Sequence, residues 1–128
     1  MNTKRKLLLL IALMLLVIMP GSLSNIPTVL GYYNPVFDVL YAANEYVCLH
    51  EIAHKADVMS GWISKTDEWE LMTEKYNVGK YTSVNATEFY ANLYADAMGH
   101  AEAMPEEVLT FYDFGLLHNL RMEYCNDY

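Results

Sequence analysis

His50-Glu51-Ile52-Ala53-His54 sets two imidazoles four residues apart with a carboxylate beside the first. On a helix, positions i and i+4 project from one face a turn apart, so both rings can reach a single Zn2+. Glu51 is too close along the axis to be a further ligand. It can, however, reach a water at the metal, which is where a general base belongs. A helix with two surface histidines and a solvated glutamate is the bland alternative. The flanking residues argue against it: Val47, Leu49, Ile52, Ala53, Ala56 and Val58 make this stretch apolar almost all round. Buried imidazole and carboxylate groups need a partner, and a metal ion supplies one.

Two histidines leave the ion one protein ligand short, because catalytic zinc takes three and keeps the fourth position open. A metzincin would carry Gly and His where this chain has Asp57 and Ser60, so that class is excluded. A glutamate from a later helix is the remaining source. Glu88 is the best candidate, since Ala91 and Ala95 on its own face let its helix pack closely on the first. Asn85-Ala86-Thr87-Glu88 also fits a capping box, which would employ Glu88 differently. Glu70, Glu74 and Glu102 are weaker candidates. His100 and His118 have no partner at ligand spacing. Asp57, one turn after His54, either orients a ligating histidine or ties down the loop after Gly61.

The elements that must position these groups follow from local signals. Thr28 to Tyr33 and Val36 to Ala42 are β-branched and aromatic, and flank Asn34-Pro35 as a short hairpin. Asn44 caps a helix over Glu45 to Met59, stopped by Gly61. Ser64 opens a second helix to Tyr76, with Asp67 as its capping-box partner. Residues 77–84 form a loop, and a third helix runs from Ala86 to Met98. Pro105 starts a fourth, broken near Gly115, before a last turn or two to Tyr124. The expected class is α+β: a small hairpin packed on the H-E-x-x-H helix, followed by three or four helices.

The chain has 128 residues, 54% of them hydrophobic, which is too apolar for a disordered segment and sufficient for one domain. Its net charge is -8, and three of its eight basic side chains are Lys4, Arg5 and Lys6. So acidic a chain is unsuited to phosphate backbones, and nucleic acid is excluded as a partner. The basic start, the apolar run Leu7 to Met19, Pro20-Gly21 and the small residues Ser22 and Ser24 form a secretory signal pattern over residues 1–24. The domain would then be residues 25–128, outside the cell and free of the membrane. An uncleaved anchor through Leu7 to Met19 is the runner-up, although that run falls short of the ~20 residues a span needs. In an oxidising compartment Cys48 and Cys125 either close an intramolecular bridge or pack as separate thiols.

His50-Glu51-Ile52-Ala53-His54-Lys55-Ala56-Asp57, then Ser60, Trp69 and Glu74, then Tyr81 and Asn85-Ala86-Thr87-Glu88-Phe89-Tyr90-Ala91, resembles the anthrax lethal factor–like zinc metallopeptidases. That gluzincin family includes the secreted Pro-Pro endopeptidases. The resemblance covers about residues 28–124 and departs at Asn92, where the family often carries an acidic residue. It implies a minimal zincin-like catalytic domain with Zn2+ held by His50, His54 and Glu88. It also implies Glu51 as base and Tyr81, seven positions before Glu88, as a hydroxyl donor to the carbonyl oxygen. The expected activity is endopeptidase cleavage of a protein or peptide substrate. Thr28, Val29, Leu30, Gly31 and Tyr32 would form a free sheet edge that pairs with the extended substrate. The alternative class is a catalytically inactive, zinc-containing peptide-binding module. A purely structural zinc site would recruit more cysteine. A glycan on the Asn85-Ala86-Thr87 sequon would crowd Glu88, so that site is expected to be unmodified.

Overall fold

A computed structural model of the chain describes residues 30–77 and 84–128. The signal-like segment, Thr28 and Val29 of the edge, and Tyr81 lie outside the described residues. Within them the chain is α+β, with one two-stranded antiparallel sheet and four α-helices.

Strand β1 (Gly31–Asn34) pairs with β2 (Val39–Ala42), Tyr33 opposite Leu40. The reversal occupies residues 35–38 rather than Asn34-Pro35. Asn34 Oδ1 accepts the N–H groups of both Val36 and Phe37, drawing into the turn two donors that a longer second strand would have used. Asp38 then takes a left-handed φ of 51°. Val36 and Phe37, expected in the strand, therefore form the hairpin tip and are 83% and 77% exposed.

Helix α1 (Glu45–Met59) starts where expected, with Asn44 Oδ1 accepting the Val47 N–H at 2.9 Å. Gly61, at φ 84°, follows its end. The helix is the centre of the domain and is buried on most sides, with Cys48, Leu49, Ile52 and Ala53 fully enclosed. Both strands lie against it, and the packing is tight at Gly31: a Cβ there would overlap Val47 and stand 2.8 Å from the Tyr41 carbonyl oxygen. Lys55, buried on the same helix, donates to Asp38 in the hairpin and to Tyr124 Oη at 3.1 Å, holding hairpin and C-terminal helix to α1.

The second helix begins later than the capping-box reading requires. Ser64 sits in a 3-10 turn, Ile63–Lys65, and helix α2 (Asp67–Tyr76) is capped by Thr66, whose hydroxyl accepts the Trp69 N–H. Ser64 cannot cap because its hydroxyl is committed to Asp57. Helix α3 (Ala86–Gly99) lies along α1 with Ala91 and Ala95 fully buried, and Tyr46 Oη donates to Asp96 across the pair at 2.6 Å.

A 3-10 helix (Glu106–Phe111) precedes α4 (Phe114–Tyr124), so the break falls at Tyr112-Asp113 and not at Gly115, which lies in the first turn of α4. Tyr112 causes the break. Its ring stacks on Tyr90 at 4.3 Å and its hydroxyl donates to the Tyr90 carbonyl at 2.8 Å, so its backbone leaves the helical region to bury it. Trp69 is fully buried among Phe89, Tyr90, Phe111 and Tyr112, with ring centroids 5.1 to 5.9 Å away. Cys48 and Cys125 are joined in a disulfide, Cα atoms 5.8 Å apart, fastening α1 to the end of α4. Among the described residues no helix is long and apolar enough to cross a membrane.

Candidate metal centre

His50 and His54 project from one face of α1, as their spacing dictates, with their Nε2 atoms 3.1 Å apart. Glu88, in the first turn of α3, brings Oε2 to 3.0 Å from His50 Nε2 and Oε1 to 3.1 Å from His54 Nε2. In tetrahedral zinc coordination with bonds of 2.0–2.1 Å, neighbouring ligand atoms stand about 3.4 Å apart. The observed separations are within a few tenths of an ångström of that. The donor set is also chemically suited. Two imidazole nitrogens and a carboxylate this close repel one another through their lone pairs unless protons or a cation stand between them. Hydrogen bonds from His50 and His54 hold the Glu88 carboxyl well below the usual carboxylate range.

The capping-box alternative for Glu88 is half realised. Asn85 Oδ1 accepts the Glu88 N–H at 2.8 Å, while the Glu88 carboxylate turns to the histidines instead of back to Asn85. Two further bonds fix this first turn of α3. Trp69 Nε1–H donates to the Ala86 carbonyl at 2.8 Å. Asp57, fully buried, accepts from the Ser64 N–H at 2.9 Å and from its hydroxyl, and Ser64 Oγ lies 3.0 Å from Thr87 Oγ1. Asp57 thus ties down the loop after Gly61, and through Ser64 it braces the residue next to Glu88.

Glu51 is 5% exposed, and burial pushes its carboxyl up to about 7; charge on His50 pulls it down and the Glu88 carboxylate pushes it up. A carboxylate titrating near neutrality is suited to accept a proton and give it back. His50, Glu51, His54 and Glu88 line a cavity of about 440 Å3, within the range of small-ligand sites. Gly31 and Tyr32 of the proposed edge line it too, whereas Leu30 is exposed. Sequence reasoning missed Thr87, Val58, Tyr33, Pro35 and Trp62 on its walls. Of these only Trp62, directly after the helix-ending Gly61, carries any local signal.

The remaining candidates are elsewhere. Glu70 and Glu74 are exposed on α2. His100, expected to have no partner at ligand spacing, stacks on Tyr46 at 4.6 Å and lies 3.6 Å from Asp96; with Glu102 these form a second group of ligand-type atoms at the end of α3. The Asp96 carboxylate there already accepts the Tyr46 hydroxyl. His118 is exposed. Comparison with protein family models, with curated proteins and with solved structures gives no match to this chain.

Proposed function

We propose that the protein is a zinc-dependent endopeptidase of the gluzincin type, with a zincin-like catalytic core. The reading rests on one observation above all: His50, His54 and Glu88, from two separate helices, present their ligand atoms to a common point. Zinc bound there supplies Lewis acidity, which brings the pKa of water from 15.7 to about 7 and polarises a carbonyl.

The chain's own residues then divide the work. Glu51, on the cavity wall beside His50, accepts the proton of the attacking water as the new C–O bond forms. As the C–N bond breaks, Glu51 delivers that proton to the leaving amine nitrogen. The amine departs neutral and the acyl half leaves as a carboxylic acid. Strand β1 borders the cavity and among the described residues pairs only with β2, so its other edge suits an extended peptide backbone. Tyr81, in the role the family resemblance implies, donates to the carbonyl oxygen as negative charge develops on it. The amino-terminal pattern and the Cys48–Cys125 bridge support action outside the cell after loss of residues 1–24; retention through Leu7 to Met19 is the alternative.

The test measures metal content of the purified protein and of Glu88→Ala, then cleavage of a randomised peptide pool by wild type and Glu51→Gln. The reading expects about one zinc per chain, lost in Glu88→Ala, and cleavage abolished in Glu51→Gln. Unchanged zinc in Glu88→Ala refutes the ligand set. A zinc-loaded chain that cuts no better than Glu51→Gln is a peptide-binding module and not a peptidase.

A further inference from the structure

Three non-glycine residues among those described have a positive φ, and Trp62 is the only one of them on the cavity wall. Its φ of 63° and ψ of 58° belong to a region that bulky side chains avoid. Gly61, at φ 84°, stands immediately before it, so the chain could turn without placing an indole here. The turn is held by the Trp62 N–H donating to the Asp57 carbonyl at 2.8 Å and the Lys65 N–H donating to the Trp62 carbonyl at 3.0 Å. Strain kept on a large side chain at a cavity points to a task for that side chain.

Its surroundings define the task. Val58, Tyr32 and Tyr33 line the same cavity, so apolar and aromatic side chains accompany Trp62 there along with His50, Glu51 and Glu88. Lys65 Nζ lies 3.8 Å from the Trp62 ring centroid, so a cation already uses the negative potential of that ring. A second cation brought to the same ring meets the Lys65 charge well within a Debye length. The net charge of -8 would otherwise attract basic peptides.

We propose that Trp62 is a specificity-determining residue: it walls a subsite that takes a large apolar or aromatic substrate side chain near the scissile bond and disfavours lysine and arginine there. This rests on the endopeptidase reading. The test digests a randomised peptide pool with wild type, Trp62→Phe, Trp62→Ala and Lys65→Gln, identifies the residues flanking each cut, and measures zinc in every protein. Wild type should enrich large apolar or aromatic residues at one flanking position. Trp62→Ala should retain zinc, reduce that enrichment about tenfold or more and slow cleavage of the favoured sequences, as expected for a lost pocket wall, and Trp62→Phe should keep most of the enrichment. Lys65→Gln should raise the share of basic residues at that position severalfold.

An unchanged profile in zinc-loaded Trp62→Ala overturns the proposal. If that variant loses zinc, an unchanged basic share in Lys65→Gln overturns it instead. If zinc-loaded wild type cuts nothing, the endopeptidase reading fails by itself. Capture of the same pool by wild type and Trp62→Ala then decides the part of Trp62: loss of apolar enrichment supports it, identical captured sets refute it.

Discussion

Asp57→Ala should be among the most damaging substitutions outside His50, His54 and Glu88. The carboxylate is fully buried and accepts both the N–H and the hydroxyl of Ser64. Each hydrogen bond to a charged group contributes about 1.5–3 kcal/mol, and a buried N–H left unpaired costs about 1–3 kcal/mol. Relief of the carboxylate's own desolvation offsets part of that, leaving a loss of about 3 kcal/mol. For a domain of this size the melting temperature should fall by roughly 12 to 24 °C. Asp57→Asn is the informative contrast. Its amide oxygen can still take the Ser64 N–H, and its amide N–H can donate to Ser64 Oγ, which then turns its proton to Thr87 at 3.0 Å. Only the amide's second N–H is left without one of these partners, so the cost should be about 1–2 kcal/mol, below that of Asp57→Ala. Thermal and urea melts of the metal-free variants measure both. If Asp57→Ala melts within a few degrees of wild type, or Asp57→Asn falls as far as Asp57→Ala, the hydrogen-bond reasoning is wrong.

Glu88→Gln should weaken zinc binding on the order of a hundredfold or more, read by competition with a chromophoric chelator, because a charged ligand becomes a neutral amide. Reduction of the Cys48–Cys125 bridge, which closes a loop of 77 residues, should cost about 4–5 kcal/mol on the chain-entropy account, measured by urea melts with and without reductant. Gly31→Ala should destabilise by about 1–3 kcal/mol through overlap with Val47 and the Tyr41 carbonyl, again seen in melts. Burial raises the folded-state pKa of Tyr90 and Tyr112 above the ordinary 10, so their contribution to stability is whole below that pH and is lost as pH rises beyond it. Spectrophotometric titration should show both phenols ionising only as the fold is lost. Early, reversible ionisation of all the tyrosines would contradict it.

The coarse α+β class and the grouping of the candidate site residues are legible in the sequence, and the details of the elements between them are less so. Helical periodicity is a local property, so His50 and His54 could be placed on one face from spacing alone. Glu88 could be named because small residues at Ala91 and Ala95 announced close helix packing. The errors arose where a side chain answered to a distant partner. Ser64 looked like a cap, but its hydroxyl belongs to Asp57, seven residues back, and to Thr87, which lies far along the sequence. Gly115 suggests a break in the last helical stretch, whereas burial of Tyr112 against Tyr90 decides it. Nothing in the local sequence marks Lys55 as enclosed, because its partners Asp38 and Tyr124 come from opposite ends of the domain.

Three kinds of tie fasten the hairpin, α3 and α4 to α1: a buried lysine holds the hairpin and also reaches α4, a tyrosine–aspartate bond holds α3, and a covalent bridge holds α4. Because the three fail under different insults (charge reversal, loss of a hydroxyl, reduction), no single lesion releases the helix that carries both histidines. The surrounding shell can therefore be rewritten by sequence drift, one fastening at a time, while the two rings keep their aim.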